Sequence, residues 1–188
     1  MNNKVINKQI PLETIVKVAN HLEDYKEKYD RKFELEKNKN KNIPYGEKQW
    51  EYENGNATIK YTIEFKNGKN ITESDYNWFV GNLNQPSTIK TISIDLYVSF
   101  YTKSPNNTIN DVYNKINVSL YFREFDVTID VDTTNQENEA HNLYSELMNI
   151  LEDNEDRYNK TMKHRKIRTQ CFTISVGIIL SYILYVIL

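Results

Sequence analysis

Cysteine, proline and glycine are scarce in this sequence: among 188 residues there are one cysteine, four prolines and five glycines. A lone Cys171 excludes an intrachain disulfide and fits a reducing compartment. The glycines stand singly, so no glycine-rich loop is available to cradle a phosphate. His21, His141 and His164 lie far apart, and no His/Cys/Asp/Glu group has metal-ligand spacing. No catalytic residue, metal or cofactor is therefore assigned, and the chain reads as non-enzymatic. Charge is balanced, with a formal net value of −2, so no basic field suggests a nucleic-acid partner. The opening stretch MNNKVINKQIPLETIVKV has no apolar core segment, and no signal peptide is expected.

What is abundant is concentrated at the far end. The eighteen residues 171–188, CFTISVGIILSYILYVIL, carry no charge, Asn, Gln or Pro. As a helix they would be roughly 27 Å long, the short end of what crosses a bilayer core. Apolar residues surround the helix on all sides, which a surface helix of a globular domain does not show. Lys163, Arg165, Lys166 and Arg168 precede this stretch and no charge follows it. The flank predicts a cytoplasmic domain on a single-pass, tail-anchored span, with the four basic side chains near anionic lipid headgroups. Thr173, Gly177 and Ser181 recur every fourth residue, a small-residue face suited to close helix association. Membrane lipid and a homo-oligomer through the span are the partners this predicts. The domain boundaries follow: a soluble domain over 1–160, a basic neck over 161–170 and an anchor over 171–188.

The rest of the chain is long enough for one domain with a real core. Residues 1–9 read as a frayed end. Pro11 suits the first position of a helix, and Leu12, Ile15, Val16, Ala19, Leu22, Tyr25, Tyr29 and Phe33 give it an apolar stripe. Asp24 and Lys28 fall on the opposite, solvated side. Asn54-Gly55 predicts a two-residue hairpin turn joining a strand through Trp50 and Tyr52 to one running from Ala57 to Phe65. A three-residue loop at Asn67-Gly68 would then set Ile71 opposite Ile63.

Thr72 or Ser74 caps a short helix bearing Tyr76, Phe79, Val80 and Leu83, with Asp75 in its first turn. The stretch 89–101 alternates cleanly, as does 115–122, with residues 102–114 between them as a polar loop. The apolar phase flips after Arg123-Glu124, which reads as a bulge in one long strand. Asn135 caps the last helix, whose stripe is Ala140, Leu143, Tyr144, Leu147, Ile150 and Leu151. With no Gly or Pro before Gly177, that helix is expected to run on toward the span. The fold class predicted is α+β: a mostly antiparallel sheet of four to five strands, helices on one face, and one C-terminal transmembrane helix.

Two side-chain groupings stand out. Tyr97, Tyr101 and Tyr121 fall on the polar faces of neighbouring strands with Arg123 close by, a candidate aromatic platform for a protein or small ligand. Glu124, Asp126, Asp130 and Asp132 form an acidic row, either a Mg²⁺ or Ca²⁺ site or the charged surface of an edge strand. The whole predicts a membrane-anchored, non-enzymatic sensor or interaction module binding an unidentified protein or small ligand. One alternative is a membrane-perturbing effector whose spans cluster on sensing; its layout is similar to that of bacterial membrane-linked defence effectors, a likeness of architecture that carries no residues. Another is a metal-dependent enzyme using Asp126, Asp130 and Asp132.

Overall fold

The computed structural model describes residues 4–6, 10–44, 52–102 and 112–152. The chain divides into Met1–Met148 and Asn149–Leu188, and the architecture below is that of the first unit. Its described elements are strand β1 (Lys4–Ile6), helix α1 (Leu12–Lys39), strands β2 (Glu53–Phe65) and β3 (Asn70–Glu73), helix α2 (Tyr76–Asn82), a 3₁₀ turn (Pro86–Thr88), and strands β4 (Ile89–Thr102), β5 (Val112–Phe122) and β6 (Val127–Thr134). A last helix, α3, occupies 137–152.

The strands form one antiparallel sheet in the order β1-β6-β5-β4-β2-β3. Strand alternation divides it into two faces. Ala57, Ile59, Tyr61 and Ile63 of β2 lie opposite Val98, Leu96, Ile94 and Ile92 of β4, and all eight are buried. Ile116, Val118 and Leu120 of β5 and Val127, Ile129 and Val131 of β6 extend that face. The helices cover it. α1 buries Ile15, Val18, Ala19, Leu22, Tyr25 and Tyr29, residues at three- and four-residue steps. Val18 rather than Val16 completes the stripe, and Leu12, Val16 and Phe33 are half-buried. α2 stacks Phe79 on Tyr61 at a centroid distance of 4.4 Å. α3 buries Ala140, Leu143 and Leu147 completely.

The expected α+β class with helices on one face describes this architecture, but the fold prediction needs two corrections. The sheet has six strands rather than four to five, because Lys4–Ile6 pairs with β6 instead of fraying. No helix among the described residues is long and apolar enough to cross a membrane. The longest of them, α1, has 28 residues, yet it carries a solvated, charged side along its length. The predicted span over 171–188 lies outside the described residues, as do the small-residue face Thr173, Gly177 and Ser181 and the basic residues Lys163, Arg165, Lys166 and Arg168. The transmembrane helix, the single-pass cytoplasmic placement, the lipid partner and the membrane-mediated oligomer are therefore not carried into the account of this fold.

Several local expectations also change. Asn54-Gly55 does not turn the chain. β2 pairs with β4 on both sides of it, Glu53 with Tyr101 and Asn56 with Ser99, so the dipeptide is a bulge within one strand. A two-residue type I′ turn needs two left-handed residues, and here only Asn54, at φ 50°, is left-handed. The second Asn-Gly does turn the chain. Gly68 has φ 84°, the amide of Phe65 donates to the carbonyl of Lys69 at 2.8 Å, and Ile63 lies opposite Ile71 as expected.

The phase flip after Phe122 is a reversal rather than a bulge. Phe122 pairs with Val127, and the amide of Arg123 donates to the carbonyl of Asp126 at 2.8 Å across a four-residue loop. α2 is capped by Asp75 itself, whose carboxylate accepts from the amides of Asn77 at 2.7 Å and Trp78 at 3.2 Å. Two donors at one anionic oxygen favour it over the neighbouring hydroxyls. Asn135, at φ 56°, does not cap α3; its side-chain amide donates to the carbonyl of Tyr113 at 2.9 Å, and the carbonyl of Gln136 accepts the first helical bond, from Ala140.

Candidate functional site

The face of the sheet turned away from the helices displays Thr58, Lys60, Thr62 and Glu64 of β2, the odd-numbered residues of β4 from Thr91 to Tyr101, and the alternating partners of β5 and β6. No described helix covers it. Its aromatic residues come from two neighbouring strands. Tyr101 of β4 lies opposite Tyr113 of β5, with ring centroids 5.3 Å apart and planes tilted by 53°. Tyr97, on the same side of β4, shares a hydroxyl–hydroxyl hydrogen bond of 2.7 Å with Tyr113. That bond holds the Tyr97 phenol below its ordinary pKa and raises that of Tyr113.

Polar side chains and one lysine, Lys115, surround the three rings. Ser99 and Asn117 flank them on β4 and β5. Two charges are already compensated: Lys115, which lies opposite Ser99 between the tyrosines, is bonded to Asp132, which lowers the Asp132 pKa, and Lys90, near the start of β4, donates to Glu64 at 2.7 Å. Tyr101 is the most accessible ring, at 38 % exposure. The patch is flat, aromatic, rich in hydroxyls and nearly neutral.

Of the residues singled out in the sequence, Tyr97 and Tyr101 belong to this patch. Tyr121 and Arg123 do not. Tyr121 lies opposite Ser93, four residues along β4 from Tyr97, or about 13 Å at strand rise. It forms a separate pair with Arg123, whose guanidinium lies 4.9 Å from the ring centroid. Tyr113 is the member that sequence reasoning missed, because β5 begins at Val112 inside the stretch read as a loop. A Tyr in phase with Lys115 and Asn117 was the available signal.

The acidic row also separates. Asp130 and Asp132 project from β6, whereas Glu124 and Asp126 lie in the β5–β6 loop. No group of His, Cys, Asp and Glu among the described residues is placed to hold a metal ion. Nor is β6 an edge strand, since β1 and β5 flank it.

A second feature lies between α1 and α3. A groove of ≈ 310 Å³ is lined by His21, Asp24, Tyr25, Lys28, Glu139 and Glu146, with Asn142 and Leu143 beside them. Two polar contacts span it: Lys28 donates to Glu139 at 2.6 Å, and the His21 Nε2 lies 2.9 Å from a Glu146 carboxylate oxygen. Sequence reading placed Asp24 and Lys28 on a solvated face and Tyr25 in the core. What it lacked was the register of one helix against the other.

No protein-family model, curated protein or solved structure matches the chain. Function is therefore argued from these sites alone. The membrane-anchored sensor and the membrane-perturbing effector are both withdrawn as functional descriptions, since neither has a membrane-crossing helix among the described residues.

Proposed function

We propose that this is a non-catalytic recognition domain that binds a partner protein through the patch formed by Tyr97, Tyr101 and Tyr113. The observation that carries the reading is the joining of three tyrosines from adjacent strands on a sheet face with no described helix over it. Tyrosine offers a large, stiff, amphipathic contact at low entropic cost, and serine and asparagine beside it supply adaptable hydrogen bonds. Interface centres are enriched in aromatic residues and depleted of free charge, the composition seen here. A nucleic-acid partner fits less well, because Lys115 and Lys90 are both engaged by carboxylates, and Lys60, exposed on the same face, falls short of the several uncompensated cations that phosphate-backbone binding needs.

Site-specific photo-crosslinking tests the reading. A benzophenone side chain at position 101, in cells of the native host, is expected to give one discrete protein adduct. The adduct should disappear when Tyr97 and Tyr113 are both replaced by Ser. A probe at Lys60, on the same face beyond the patch, should give none. Equal labelling from positions 60 and 101, or labelling indifferent to Tyr97→Ser/Tyr113→Ser, would remove the patch as the binding site.

A further inference from the structure

The three tyrosines of the sheet face stand close enough to react with one another. Tyr97 and Tyr113 share the 2.7 Å hydroxyl–hydroxyl hydrogen bond, and Tyr101 lies against Tyr113 at 5.3 Å between ring centroids. One unbroken register fixes them: Tyr101 is opposite Tyr113, and Tyr97 is opposite Asn117. Tyr97 and Tyr113 are half-buried, Tyr101 is exposed, and no described helix covers them. A second pair, Tyr25 and Tyr29, has the same centroid separation of 5.3 Å. Those rings lie in the core, at 8 % and 2 % exposure, so the two groups differ in access and not in proximity.

Oxidation of a phenol removes one electron and the hydroxyl proton. The unpaired electron left behind is shared between the oxygen and the carbons ortho to it, and two such radicals couple at ortho carbons. The product sets its two hydroxyls side by side, where one donates to the other. The hydroxyl contact between Tyr97 and Tyr113 already has that arrangement. The same hydrogen bond, helped by Ser99 and Lys115, holds the Tyr97 phenol below its ordinary pKa. A lower pKa raises the share of phenolate, the form that gives up an electron more readily.

The geometry points to an oxidative modification site, at which a one-electron oxidant of the haem-peroxidase class, driven by hydrogen peroxide, joins Tyr97 to Tyr113 as an intramolecular dityrosine. Each phenol gives up one electron and one proton, and the two radicals form a carbon–carbon bond between ortho carbons. The hydrogen on each of those carbons is then lost to solvent while each oxygen regains a proton, which restores both rings and both hydroxyls. The protein loses two hydrogens in total, and one hydrogen peroxide becomes two waters. The bond ties β4 to β5 and restricts the unfolded chain between positions 97 and 113, as a disulfide restricts the loop it closes. The chemistry needs no partner protein, so its failure and that of the recognition reading are separate outcomes.

The experiment is treatment of the purified full chain, dilute enough to disfavour contact between copies, with a haem peroxidase and hydrogen peroxide. Tryptic digestion releases residues 91–103, which carry Tyr97 and Tyr101, and residues 104–115, which carry Tyr113. The monomer is expected to yield these two peptides joined, two hydrogens lighter than their sum and with the blue fluorescence of dityrosine. Fragment sequencing of the wild-type adduct should place the bond at Tyr97 and Tyr113, a measurement that depends on no variant. The adduct should fall to background in Tyr97→Phe and in Tyr113→Phe and persist in Tyr101→Phe. Tyr25 and Tyr29 should remain unlinked while the protein is folded, and the preference for Tyr97 with Tyr113 should vanish when urea unfolds the chain before oxidation. Dityrosine confined to dimers overturns the assignment. So does a bond that survives Tyr113→Phe, or one that is lost in Tyr101→Phe yet kept in Tyr97→Phe.

Discussion

Along β4, successive side chains go to opposite sides of the sheet and meet opposite fates. Ile92, Ile94, Leu96, Val98 and Phe100 are buried beneath the helices, while Thr91, Ser93, Asp95, Tyr97, Ser99 and Tyr101 face outward with no described helix above them. One backbone thus carries a set of residues that the fold depends on and a set it hardly uses. The difference teaches where recognition can be built: the outward set can change without cost to the core. Leu96→Ala should remove about 2–5 kcal/mol of stability, as a fully buried leucine in the sheet centre. Tyr97→Ala, one residue on, should cost no more than about 1 kcal/mol. Urea unfolding of the two variants checks this. Comparable losses would mean that the tyrosine patch is packing, and the recognition reading would lose its basis.

The contrast can be sharpened at the level of the backbone, because the chain contains Asn-Gly twice. At Gly55 the helix side of the sheet is so close that an added Cβ would lie 2.2 Å from the Phe33 ring. At Gly68 nothing lies within 4 Å, but φ is +84°. Gly55→Ala should therefore cost about 1–3 kcal/mol through steric overlap. The loss should shrink when Phe33 is also replaced by Ala, since the two substitutions share one contact. Gly68→Ala should cost about 1 kcal/mol through backbone strain alone, and Phe33→Ala should leave that cost unchanged. A double-mutant cycle with equal coupling at both glycines would show that the bulge is not held by the helix.

These two glycines also show what could be read from the sequence. The dipeptide signals a left-handed residue, and both copies have one: Asn54 and Gly68. Whether that residue turns the chain or bulges it depends on what is packed against it, and Phe33 is twenty-two residues away from Gly55 in the sequence. The Asn67-Gly68 loop could be predicted to the residue because its partner strand follows immediately. Strands β4 and β5 were legible from alternation alone. The β5–β6 reversal was not, because Arg123-Glu124-Phe125-Asp126 has no Gly, Pro or Asn to mark a turn.

The candidate sites follow the same rule. Tyr97 and Tyr101 share a face by strand period, so both were visible. Tyr113 became visible only once β5 was seen to reach Val112, and Tyr121 left the group once the register with Ser93 was fixed. The groove was illegible throughout. Its side chains are ordinary surface charges on each helix, and only the docking of α1 on α3 brings Lys28 to Glu139.

That docking gives the smallest test of the contrast between covered and open faces, since the ion pair lies at the solvent margin of the covered one. Burial pushes the Glu139 carboxyl up, but the hydrogen bond and attraction from Lys28, with smaller help from Tyr25 and Lys32, outweigh it and hold the pKa below the ordinary value. A depressed carboxylate pKa stabilises the fold at pH values above the unfolded value, about 4.3 for Glu. The contribution is lost as pH falls through the folded value. Both side chains are partly exposed, at 29 % for Glu139 and 49 % for Lys28, so solvent screening keeps the effect below about 1 kcal/mol. Glu139→Gln should therefore be slightly less stable than wild type at pH 7, and the gap should close as pH falls through the folded pKa of Glu139, where the carboxylate takes up its proton and the pair is lost. Denaturation midpoints of the two proteins across that range measure the difference. A gap that stays constant with pH would assign the contribution of Glu139 to packing against α1 rather than to its charge.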